Sequence, residues 1–258
     1  MLYGEIMKLQ NKVAIVTGAG AGMGKAVALR YASEGAKVVV VEYDESTGNE
    51  TLREIKSKGG ESIFVCTNVA DENQVALMVK KTIESYGRID VLYNNVAKMS
   101  TLDRRVHEIS TELWNELVAV NFSSAFFCAK YVITEMLKTG GGSLIFVGSP
   151  TALVACATND AAYSSTKAGV HSLARVIAGG YGTDNIRANI VIPGTMQTPM
   201  TERILADEAV RSHLQKSAML GRLGTSEDVT GLAVFLASDE SSYCTGAYFT
   251  VDGGLTAL

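Results

Sequence analysis

"KVAIVTGAGAGMGKAVALRYASEGAKVVVVE", residues 12–42, carries the reading of the fold. Residues 12–18 form a short apolar run that reads as a buried strand. A glycine-rich turn follows, then a helical pattern over 24–35 that stops at Gly35. Residues 37–42 are a second strand with four consecutive valines. A strand apolar on both faces belongs inside a parallel sheet covered by helices.

The same order continues outward. Strands are expected at 62–69, 89–95, 142–149, 186–194 and 247–254, and helices at 72–86, 111–138, 161–181 and 226–237. Alternating strands and helices predict an α/β, doubly wound parallel sheet of the Rossmann type. No Pro-rich or Ser-rich linker interrupts it, so 1–258 is read as a single domain, with 1–9 a loose N-terminal extension and Met7 an alternative start. Ligands of such sheets bind beyond the carboxyl ends of the strands.

Composition narrows the function. Of 258 residues, 47% are hydrophobic and 19% charged, which excludes a disordered chain. Net charge is −4 and no basic stripe appears, so no nucleic-acid partner is expected. The N-terminus lacks a signal-peptide core, and no unbroken apolar run approaches the ~20 residues of a membrane span. No membrane partner and a cytoplasmic location are therefore expected. Cys66, Cys128, Cys156 and Cys244 form no C-x-x-C pair and read as buried thiols. His107, His171 and His213 are scattered, and no metal site is expected.

The turn "TGAGAGMG" (17–24) places glycines at 18, 20, 22 and 24. Such a turn lets the backbone approach a pyrophosphate, and the helix behind it offers free N–H groups. Twenty residues after Gly22 stands Glu42, an acceptor for ribose hydroxyls that would repel a 2′-phosphate. Tyr43 and Asp44 follow it, Ala21 precedes Gly22, and Lys25 lies on the first helical turn. These residues favour NAD over NADP.

Tyr163 and Lys167, in "AAYSSTKAG" (161–169), stand one helical turn apart on one face. A phenol with a pKa near 10 needs a shift of about two to three units to act as a base near neutral pH, roughly 3 to 4 kcal/mol. A partly shielded ammonium can supply it and an exposed one cannot. Lys167 is therefore expected to lower the Tyr163 pKa inside a cleft.

Together the motifs resemble the short-chain dehydrogenase/reductase family in its single-domain branch, over about residues 10–254. The segments are "TGAGAGMG", "YNNVA" (93–97), "VNFSSAFF" (120–127), "IFVGSP" (145–150), "YSSTK", "IPGTMQTPM" (192–200) and the C-terminal "GRLGTSEDV…YFTVDGG" (221–254). The resemblance implies hydride transfer between a CH–OH group and a nicotinamide. In it Tyr163 is the general acid/base, Ser149 binds the substrate oxygen, Lys167 also holds the nicotinamide ribose, and Asn121 holds a relay water. It places the cofactor against Gly18, Gly20, Gly22, Met23, Gly24, Glu42, Tyr43, Asn68, Val69, Asn95, Val96, Ala97, Pro193, Gly194, Met196 and Thr198, with Asn94 steadying a turn nearby. Ala97 and Asn68 depart from the family's usual glycine and aspartate. Ser149 lies fourteen residues before Tyr163, one more than common, and Thr151 is the other candidate hydroxyl. Gly179 and Gly180 stand where helix formers are expected.

Substrate choice is assigned to 98–108, 150–160 and a lid over 196–218. Arg104 and Arg105 can grip an anion but more commonly belong to a solvated loop. A sugar, polyol or other secondary alcohol, or its ketone, fits best. The resemblance implies a homotetramer. An NADP-dependent 3-oxoacyl-type carbonyl reductase and a catalytically silent NAD-binding sensor remain open alternatives.

Overall fold

In the computed structural model, which describes residues 7–157 and 159–257, the valine run is the centre of the molecule. Val38, Val39, Val40 and Val41 are wholly buried. Successive strand side chains point to opposite faces. Val38 and Val40 accordingly join one apolar cluster, and Val39 and Val41 another.

The elements are β1 (Val13–Thr17), α1 (Gly22–Ser33), β2 (Lys37–Glu42), α2 (Glu45–Ser57), β3 (Ser62–Cys66), α3 (Glu72–Tyr86), β4 (Val91–Asn94), α4 (Thr111–Val118), α5 (Ser124–Thr139), β5 (Gly142–Val147), α6 (Ala161–Tyr181), β6 (Ile186–Pro193), α7 (Pro199–Leu205), α8 (Glu208–Ser217), α9 (Thr230–Ala237) and β7 (Tyr248–Val251). The seven strands pair in the order β3-β2-β1-β4-β5-β6-β7, all parallel. Helices α3, α5 and α6 cover one face, and α1, α2 and α9 the other. This is the doubly wound sheet expected from the sequence. Strand order reverses between β1 and β4, so a crevice opens beyond Thr17 and Asn94.

Residues 111–139 are helical throughout, but α4 and α5 are joined by a π-helical turn, Ala119–Ser123. By length and composition this stretch is apolar enough to cross a membrane. Its inner face, including Ala125, Cys128, Val132 and Met136, belongs to the core. The expected strand 62–69 ends at Cys66, and 142–149 ends at Val147.

Of the extension expected over 1–9, residues 1–6 lie outside the described residues. Leu9 is fully buried and its N–H donates to the Glu34 carbonyl at 3.0 Å, so the chain is anchored before residue 10. The cysteine expectation needs correction as well: only Cys128 is buried, while Cys66 and Cys156 are exposed and Cys244 is half-buried. Cys66 ends an edge strand and Cys156 lies in a loop, so neither is covered by the core.

Candidate active site

The glycine turn is shaped by contacts that tolerate no side chain. Gly18 and Gly22 have φ of +64° and +54°, the left-handed region that favours glycine. A Cβ on Gly24 would lie 2.0 Å from the Gly18 carbonyl oxygen, so α1 can sit this close to β1 only with glycine there. Ala21 caps α1 without a side-chain bond, and no acidic residue occupies the first turn. The leading N–H groups therefore remain open to an anion.

Asn95 locks the turn from the neighbouring strand. Its N–H donates to Thr17 Oγ1 at 3.0 Å and its Nδ2 to the Thr17 carbonyl at 3.1 Å. Asn94, expected to steady a turn near the cofactor, donates to the Ala125 carbonyl at 3.4 Å. Asn94 is the last residue of β4 and Asn95 the first beyond it.

Glu42 closes the far side of the turn. Its carboxylate accepts the Gly20 N–H at 3.0 Å and the Tyr43 N–H at 2.8 Å. Lys25, the basic residue nearest the turn, pairs with Glu50 at 2.7 Å and Glu54 at 3.2 Å on α2.

A cavity of about 550 Å³ runs from this turn along the sheet's carboxyl edge. Of the expected residues it is lined by Gly18, Gly22, Met23, Glu42, Asn95, Val96, Ala97, Ser149, Tyr163, Lys167, Pro193, Gly194, Met196 and Thr198. Gly20, Gly24, Tyr43, Asn68, Val69 and Asn121 do not line it. Tyr43 is exposed, Val69 packs in the core, and Asn68 Oδ1 accepts the Ala70 N–H at 3.0 Å. The expected lid forms the opposite wall as α7 and α8, with Met200, Ile204 and Leu214 facing the cavity. Thr198 abuts the glycine turn: a Cβ on Gly22 would lie 3.4 Å from its Cβ.

Ser149 lies two residues beyond β5. Its hydroxyl lies 2.9 Å from Thr151 Oγ1, so both candidate hydroxyls share one site. Tyr163 and Lys167 lie within the first two turns of α6, both buried. The ammonium sits 5.8 Å from the Tyr163 ring centroid and donates to the Val147 carbonyl at 2.8 Å.

The expected direction of the Tyr163 shift is not found. Burial pushes its pKa up to about 12, opposed by a hydrogen bond from Ser149 and reinforced by the Asp160 charge. Burial also lowers Lys167 to about 8, which weakens the charge that was to stabilise the phenolate. Desolvation disfavours the charged form of both groups. The chain alone therefore does not make this phenol acidic.

Asn121 sits in the π-helical turn. Its Oδ1 accepts the Lys98 N–H at 2.7 Å, while its Nδ2 donates to the Lys98 carbonyl at 3.0 Å and Thr166 Oγ1 at 3.3 Å. Two further residues escaped the sequence reading. Asp103, from the loop 98–108, accepts the N–H groups of Ala162 and Tyr163 at 3.1 and 2.8 Å. No local pattern signals a cap borrowed from so far along the chain. His171 accepts the Ser149 N–H through Nε2 at 3.3 Å, and burial lowers its pKa to about 4. A Cβ on Gly148 would lie 2.1 Å from that nitrogen. Its signal was present, since Tyr163, Lys167 and His171 follow at four-residue intervals on one helical face.

A glycine cradle closed to any Cβ, open helix donors and an acidic strand end fit a nicotinamide dinucleotide. The family model described as enoyl-(acyl carrier protein) reductase matches residues 18–256.

The chain is a short-chain dehydrogenase/reductase.

This short-chain dehydrogenase/reductase is 39% identical to a Thermotoga maritima protein called an uncharacterized oxidoreductase, over 96% of this chain and 97% of that one. It is 36% identical to the 3-oxoacyl-[acyl-carrier-protein] reductase of the same organism, over 96% and 99%. The crystal structure of a gluconate 5-dehydrogenase from Burkholderia cenocepacia, in complex with NADP and tartrate, superposes with a TM-score of 0.93 at 28% identity, covering 98% of each chain. The protein is thus an oxidoreductase acting on alcohol or ketone groups with a nicotinamide cofactor.

Proposed function

We propose that the protein moves a hydride between NAD and a secondary alcohol of the sugar or polyol class, or the matching ketone. The observation that carries this reading is the convergence of Tyr163, Ser149 and Lys167 on one cavity with the glycine turn. When bound, the cofactor supplies the hydride acceptor or donor and, oxidised, a positive ring.

The chain's residues do the rest. Ser149 hydrogen-bonds the substrate oxygen, with Thr151 fixing the rotation of its hydroxyl. Tyr163 takes the hydroxyl proton during oxidation and returns it during reduction. Lys167, its ammonium 5.8 Å from the ring, favours the phenolate to the extent that it stays charged. Burial holds Tyr163 high and Lys167 low, so proton removal calls for more positive charge at the site, which the oxidised cofactor would supply. Asn121 is assigned a relay between Lys167 and solvent, and its bonds to Lys98 fix it for that role.

Glu42 supports NAD, since a 2′-phosphate would meet a carboxylate while Lys25 is engaged by α2. A second reading, NADP-dependent ketone reduction, is favoured by the relative named a 3-oxoacyl reductase and by the NADP in the neighbouring structure. Apolar side chains left exposed on α4, α5, α6 and β7, namely Trp114, Phe126, Val176 and Tyr248, support a homotetramer.

An absorbance screen at the NADH band, with NAD and NADP against sugars, polyols, hydroxysteroids and hydroxy acids, tests the reading. Tyr163→Phe should bind cofactor normally and lose about 10²–10⁴-fold in turnover. Normal turnover by that variant would overturn the base assignment. Cofactor binding without turnover of any panel member would leave a sensor.

A further inference from the structure

The helix carrying Tyr163 borrows its cap. Asp160 occupies the N-cap position of α6, where an aspartate ordinarily accepts the N–H groups of the second and third helical residues. Here it makes no capping bond. Those two N–H groups, on Ala162 and Tyr163, go to Asp103, a buried carboxylate from the loop 98–108. Asp160 is thereby released. Its half-buried side chain lines the cavity beside Tyr163 and Cys156, and its carboxylate accepts no hydrogen bond from any described residue. It stands three residues before Tyr163 at the start of α6, and both side chains line this cavity.

Besides the His213 imidazole, basic side chains at this cavity are scarce. Lys167 is the one lysine or arginine among its described lining residues, and its ammonium is engaged by the Val147 carbonyl at 2.8 Å. Arg104 and Arg105, which the sequence offered as anion grips, are exposed and lie off the cavity. A carboxylate-bearing substrate would meet Asp160 and gain no free guanidinium or ammonium in return. A neutral polyol would offer Asp160 a hydroxyl donor, a charge-assisted bond. Rejecting one ligand class through an unrelieved like charge is specificity by exclusion.

We propose that Asp160 makes this site select uncharged polyhydroxy substrates over their carboxylate counterparts. The inference rests on the alcohol-oxidising reading above and sharpens its substrate class, away from the aldonic acid named for the Burkholderia cenocepacia neighbour.

Sorbitol and gluconate form a matched pair for the test. Their kcat/KM with NAD is measured for wild type, Asp160→Asn and Asp160→Ala, and their binding to the enzyme–NADH complex by calorimetry. The wild type should favour sorbitol by roughly tenfold or more, and both variants should cut that preference about tenfold by gaining on gluconate. A preference unchanged within twofold, or a wild type that favours gluconate, overturns the proposal. If neither compound is turned over, the polyol reading fails on its own, and calorimetry still decides the role of Asp160. Gluconate must then bind about tenfold tighter to the variants than to the wild type; equal binding, or none to any of the three, refutes that role.

Discussion

Removing the borrowed cap should loosen the catalytic helix measurably. In Asp103→Ala both carboxylate oxygens vanish, and the N–H groups of Ala162 and Tyr163 lose acceptors at 3.1 and 2.8 Å. Ala162 is fully buried and Tyr163 is 8% exposed, so water reaches neither donor readily. Each orphaned buried donor costs about 1–3 kcal/mol. Losing a negative charge at a helix N-terminus adds about 0.3–1 kcal/mol. The sum is about 2–7 kcal/mol. For a chain of this length, about 2 °C of melting temperature accompanies each kcal/mol, which gives a drop of about 4–14 °C. Asp160 stands close enough to swing into the vacated cap. The substitution is therefore also made in an Asp160→Ala background and compared with that background alone. Melting is followed by far-ultraviolet circular dichroism at one protein concentration. Asp103→Asn, which keeps one acceptor, should lose about half as much. A double variant melting within about 1 °C of its background would refute the capping argument.

Two further outcomes follow from the buried groups. His171 has a folded pKa of about 4 against an ordinary 6.5, so between these pH values the unfolded chain binds more protons. Stability should fall as pH drops from 6.5 towards 4, by up to about 3 kcal/mol from this group, with no contribution above 6.5. His171→Leu should flatten that part of the pH dependence, read from urea midpoints at several pH values; an unchanged slope would sink the assignment. Glu42→Ala should reduce the preference for NAD over NADP by about tenfold or more, measured as a ratio of dissociation constants, and should weaken NAD binding because Gly20 loses its acceptor. A ratio that stays fixed would remove Glu42 from cofactor selection.

The parts legible in the sequence were those with short-range causes. Consecutive valines fixed a two-faced strand, and glycine spacing marked a turn whose crowding at Gly24 admits nothing larger. The four-residue interval placed Tyr163 and Lys167 together. What escaped depended on distant partners. Asp103 reaches α6 across the fold, and no sequence window contains both ends of that bond. The sign of the Tyr163 shift escaped for another reason: it depends on how dry the site is, and burial raised the phenol while lowering the lysine. The partner of Asn94, the Ala125 carbonyl on α5, escaped because it lies far along the chain. Gly179 and Gly180 stay within α6 with open space around them, and nothing in the structure explains them.

The π-helical turn at Ala119–Ser123 has a cost and a use. One surplus residue in a turn offsets everything after it by about 100° relative to a regular helix. Leu117 before it and Ala125, Cys128 and Val132 after it are all buried with that offset in place. Deleting any one residue here would restore an unbroken spiral, stronger by its own hydrogen bonds. The same deletion would rotate half of the rod's core-facing side towards water and carry the Asn121 amide away from Lys98. Regularity of the rod and aim of a single amide are in conflict at this point, and the chain has kept the aim.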